Sequence, residues 1–78
     1  MRARRFSADG RYEYVVEVES VSLLEDRPLF AARLVRVIDQ ETGMEVAERS
    51  TTLEAYGETP DDAFARVTER ADRALTDR

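Results

Sequence analysis

The sequence predicts an α+β fold. A three-stranded antiparallel β-meander, in the order 1-2-3, packs in two layers on one C-terminal α-helix. Three observations carry this reading. Residues 59–75 join a helix-start signal to apolar residues at helical spacing. Residues 12–21 alternate with a period of two. Two further extended stretches, 29–38 and 45–56, follow across short polar connections.

The first eleven residues set Arg2, Arg4, Arg5 and Arg11 against Asp9 alone. They read as a flexible basic arm, or as a short extra strand closed by the Asp9-Gly10 turn signal. Tyr12, Tyr14, Val16 and Val18 then share one face of the first strand, and Glu13, Glu17 and Glu19 the other, with Val15 among them. Leu23 to Pro28 forms a connection with a polar tip at Glu25-Asp26-Arg27-Pro28.

The second strand is not cleanly two-faced. Phe30, Ala32, Leu34 and Ile38 fall on one side together with Arg36, while Ala31, Val35 and Val37 fall on the other with Arg33. Either a bulge near Leu34-Val35 exchanges the faces midway, or both sides are partly covered, as in a central strand. Asp39 to Gly43 is a hairpin loop in which Gly43 supplies a positive φ. In the third strand Ala47, Thr51, Leu53 and Ala55 are expected to face the helix, and Val46, Glu48, Thr52 and Glu54 to face away.

Thr59 caps the helix, Pro60 suits its first position, and Asp61 and Asp62 favour the positive end of its dipole. The buried stripe is expected to be Ala63, Phe64, Val67, Ala71, Ala74 and Leu75, with Phe64 at its centre. Arg66, Glu69, Arg70, Asp72 and Arg73 lie off that stripe and read as a solvated face.

The chain is one domain of 78 residues with a net charge of -5. A domain of this size buries only about 60% of its unfolded surface, so association would help it. No Cys and no His are present, which excludes disulfides, Cys/His zinc sites and His-based acid–base chemistry. Lys and Asn are also absent, as in a GC-rich, bacterial coding sequence. A reducing cytoplasm fits this composition, and no apolar run is long enough to span a membrane.

The run from Leu53 to Ala63, with Gly57, Thr59 and Ala63 in a Gly-x-Thr-x-x-x-Ala arrangement, resembles the strand-to-helix junction of HicB-like antitoxin domains. Asp62 stands where that family usually has Glu. The resemblance implies a small, degenerate relative of the ribonuclease H fold that oligomerises and binds a small RNA-cleaving toxin. Many members add a DNA-binding appendix after the helix; none is expected here, since Arg78 ends the chain.

No residue set reads as catalytic, metal-binding or cofactor-binding. Ser20, Ser22, Ser50 and Thr51 have no His to activate them. Glu13, Glu17, Glu19, Glu48 and Glu54 spread over an open sheet face rather than converging on a metal. The function expected is therefore a non-catalytic protein-interaction module, antitoxin-like or regulatory. The alternative is a nucleic-acid-binding domain of double-stranded-RNA-binding-like architecture, which the acidic balance opposes. One helix covers one side of a sheet, so Val15, Val21, Arg33, Val35, Val37 and Val46 form the candidate interface, with a homodimer or a small protein partner as its occupant.

Overall fold

The computed structural model describes residues 1–21, 27–46 and 53–76. It contains an antiparallel sheet and one C-terminal helix, as expected, but the sheet has four strands in the order β1-β2-β3-β4. They are β1 (Arg2–Phe6), β2 (Tyr12–Ser20), β3 (Phe30–Asp39) and β4 (Glu54–Gly57), followed by α1 (Pro60–Thr76). The strand count of three is corrected at the basic start, where of the two readings, arm or short extra strand, the strand is the one formed.

The reason β1 forms is the turn that follows it. Ser7 is buried, and its Oγ donates to Asp9 Oδ1 at 2.6 Å while accepting the Tyr12 amide at 3.0 Å. Asp9 Oδ1 also accepts the Arg11 amide at 3.0 Å, an Asx turn in which the side chain replaces a main-chain partner. This holds the chain in register from Arg2 opposite Glu17 to Phe6 opposite Glu13.

In β3 the bulge is present. Val15 pairs with Arg36 and Val16 with Leu34, so Val35 has no opposite residue. Before it, Ala32 and Leu34 face the helix; after it, Val37 does. Arg33 and Arg36 both stay outside. The bulge overturns the placement of Val37 on the open side: it is 0% exposed and belongs to the core.

The same break carries Val46 inward. Gly43, at φ +72°, closes the loop after β3, and the Val46 amide donates to Val37 O at 2.7 Å. Val46 therefore shares the face of Val37 and packs, partly buried, against the core. Pairing is seen again from Leu53, whose carbonyl accepts the Leu34 amide at 3.0 Å. Leu53 and Ala55 face the helix as expected. The expectations for Ala47, Glu48, Thr51 and Thr52 lie outside the described residues.

The helix begins as its sequence dictates, with Thr59 Oγ1 accepting the Asp62 amide at 3.0 Å. Ala63, Val67, Ala71 and Leu75, at i,i+4 spacing, are buried against Ala32, Leu34 and Ala55. Phe64 is only partly buried, and Ala74 is exposed. The centre of the seam is Val67, flanked by Thr68, whose Oγ1 satisfies itself on the Phe64 and Ala65 carbonyls at 3.0 Å each. Small residues on both sides let the helix lie close to the sheet.

Gly57 marks the tightest approach. A Cβ there would stand 2.5 Å from the Ala63 amide nitrogen and 2.8 Å from Asp62 Cβ. The obstacle is helix backbone, which cannot rotate away. Gly57→Ala should therefore lower stability by about 1–3 kcal/mol, the usual cost of overpacking, when read as a shift in urea midpoint. An unchanged midpoint would mean that α1 does not seat on β4 this closely.

Candidate interaction surface

The side of the sheet away from α1 carries a row of charges running across all four strands. The register sets Arg2 beside Glu17, Glu17 beside Arg33, and Arg33 beside Glu54. The signs alternate from one edge to the other. Arg2 Nε bonds Glu17 Oε2 at 3.0 Å, and Arg36 Nε lies 3.4 Å from Glu45 Oε1. The Tyr56 hydroxyl donates to Glu54 Oε1, which pushes the Tyr56 phenol up from its usual value. The Glu17 carboxyl is held below the usual range, first by the hydrogen bond from Arg2 and then by the nearby charges of Arg2 and Arg33.

Of the expected interface residues, Arg33 and Val35 are exposed on this side, and Val21 is half-buried beyond the end of β2. Val15 lies on this side by register, but it is only 4% exposed. Its cross-strand neighbours are Arg4 and Arg36, and its neighbours along the strand are Glu13 and Glu17. Side chains of this length cover apolar neighbours with their aliphatic stems. Val37 and Val46 face the helix, as described above.

Sequence reading missed Phe6 (56% exposed) and Tyr56 (49% exposed), which add to Val35 (37% exposed) as apolar surface. Phe6 had a signal: it alternates with Arg4 and Arg2 before a turn. Tyr56 closes the extended stretch 45–56, and the alternation there was read only as far as Ala55. A shallow depression of about 400 Å³ adjoins Tyr56, lined also by Leu29, Gly57, Glu58, Asp62 and Arg66.

A polar tether joins the β1–β2 hairpin to the helix. Tyr14, fully buried, donates from its hydroxyl to Asp72 Oδ1 at 2.8 Å, and the Ala8 amide reaches the same oxygen at 3.2 Å. Arg5 Nη1 donates to Thr68 Oγ1 at 3.1 Å. Asp72 thus serves the fold rather than a solvated face. Burial first, and the Asp72 carboxylate second, push the Tyr14 phenol far above its usual value.

Among the described residues no group of three or more acidic side chains is placed to hold a metal ion, and no helix is long and apolar enough to cross a membrane. Comparison with family models, with curated proteins and with solved structures returned no match.

Two outcomes follow from these contacts. Tyr14→Phe removes a hydrogen bond to a carboxylate while keeping the ring in the core, and should cost about 1.5–3 kcal/mol in urea melts. A loss near zero would mean that Asp72 finds equal partners without it. The second concerns acid. The Glu17 carboxyl titrates below its ordinary 4.5 in the folded state. Its contribution is therefore present above that value and lost as pH falls through the lowered one. The urea midpoint of the unmodified protein should exceed that of Glu17→Gln at neutral pH, and the gap should close below pH 4.5. A gap independent of pH would exclude the charge of Glu17 as its source.

Proposed function

We propose that the chain is a small non-catalytic protein-interaction module that pairs with a second copy through the open side of its sheet. The observation that carries this is the alternating row Arg2, Glu17, Arg33, Glu54. A two-fold axis parallel to the strands reverses the row in the facing copy. Arg2 then meets Glu54 of the partner subunit, and Glu17 meets Arg33 of the partner subunit. An axis across the strands would set like charges together, so the row favours the first arrangement. Exposed Phe6, Val35 and Tyr56 supply apolar area around it. Two layers of sheet packed face to face are a common way to cover such a surface.

The resemblance at Leu53–Ala63 adds an antitoxin-like or regulatory role toward a small protein partner in the cytoplasm. The nucleic-acid reading draws support only from the arginines of β1, and the net charge of -5 opposes it.

Sedimentation equilibrium at tens of micromolar protein should give about twice the 8.9 kDa mass of one chain. Arg33→Glu should dissociate the pair, and the double reversal Glu17→Arg with Arg33→Glu should restore it. A single-chain mass for the unmodified protein, or a dimer indifferent to Arg33→Glu, would refute this arrangement.

A further inference from the structure

The two edges of the sheet are unlike. The main-chain groups that reach an edge follow from which pairs exchange hydrogen bonds. Met1 and Val18 exchange both bonds, at 2.8 and 2.7 Å, and the Ser7 amide donates to Tyr12 O at 2.7 Å. Alternation between them turns the N–H and C=O groups of Arg2, Arg4 and Phe6 to the outside of β1. At the other edge the Leu34–Leu53 bond turns those of Glu54 and Tyr56 outward. There Arg70 Nη1 reaches from α1 and bonds the Glu54 carbonyl at 2.8 Å, which blocks an added strand. Among the described residues no hydrogen bond closes the β1 edge in this way.

We propose that the β1 edge is a docking site for an extended acidic segment of another protein, which adds antiparallel to β1 as a fifth strand. Charge selects the occupant. Arg4, at the middle of the edge, is exposed and makes no ion pair among the described residues. A second copy is disfavoured there. In the register with fullest overlap, two β1 strands related by a two-fold axis oppose Arg4 to Arg4 of the partner subunit, and like charges directly opposite destabilise a pair. An incoming strand instead sets an acidic residue opposite Arg4, another opposite Arg2, and an apolar one opposite the exposed ring of Phe6. Read in the direction of that strand, the pattern is apolar-x-acidic-x-acidic.

This deepens the reading of the chain as an interaction module. It shares the Arg2 and Phe6 side chains with the proposed dimer surface but rests on the main-chain groups of β1 and on Arg4, so amide exchange over residues 2–6 and the oligomeric state can fail separately. The probe is the blocked peptide Thr-Val-Thr-Glu-Thr-Glu-Thr, titrated into the isotopically labelled full chain while amide shifts and amide exchange are followed. Binding should saturate, the shifts should centre on residues 2–6, and exchange of the Arg2, Arg4 and Phe6 amides should slow. Replacing both glutamates of the peptide by lysine should weaken binding at least tenfold. Arg4→Glu should reverse that preference, with circular dichroism showing the fold retained. No saturable binding up to about 1 mM peptide would overturn the proposal. So would equal binding of a peptide with the same charge and prolines at the threonine positions, since that means attraction without strand addition. A single-stranded oligonucleotide that shifts the same amides at lower concentration than the peptide would assign the edge to nucleic acid and overturn it as well.

Discussion

Side chains alternate along a strand, so a regular β3 would drive either Arg33 or Arg36 into the core. The bulge at Val35 removes the conflict. One unopposed residue moves Val37 to the helix side and Arg36 to the open side, and both arginines remain in water. Bringing an unpaired guanidinium under the helix would cost far more than one interrupted ladder position. The change of face then passes to the neighbouring chain segment. Val46 follows Val37 into the core, and Glu45 stays outside beside Arg36.

The layer above the sheet is held at short range by small residues. Ala32 and Ala55 on the sheet meet Ala63 and Ala71 on the helix, and Gly57 admits the first helical turn. Close contact of this kind forms many weak dispersion contacts but leaves little space for large side chains. Phe64 accordingly sits at the margin of the seam and Val67 at its centre. Toward β1 the seam becomes polar, through Tyr14 with Asp72 and Arg5 with Thr68. Hydrogen bonds with fixed geometry there orient the hairpin where apolar area is scarce.

The two sides and two edges of the sheet therefore have different chemistry. One side is covered by α1. The other holds alternating charges, a pattern that in the proposed dimer would select one register over its competitors more than it adds affinity. One edge is occupied by Arg70, and the other is basic and, among the described residues, open. An acidic chain that gathers arginines along a single short strand separates its charges in space.

The elements with local signals were legible from the residues alone. The cap at Thr59, the helix from Pro60, the alternating strand from Tyr12 and the positive φ of Gly43 are each set by interactions within a few residues. The bulge was readable as one of two alternatives, because Arg36 falls among apolar residues. β1 was legible only as one of two alternatives. The turn at Ser7–Asp9 that follows it is local, but its sequence lacks an apolar period, and main-chain pairing with β2 together with the side chains of Glu17 and Thr68, far away along the chain, completes it. Asp72 looked like one more exposed helix charge until folding brought the buried Tyr14 hydroxyl to it. Likewise Val37 and Val46 of the candidate interface belong with the core, while Phe6 and Tyr56 are exposed. Periodicity tells which residues share a face within one strand; which face is covered depends on pairing between strands, and only the folded chain brings those together.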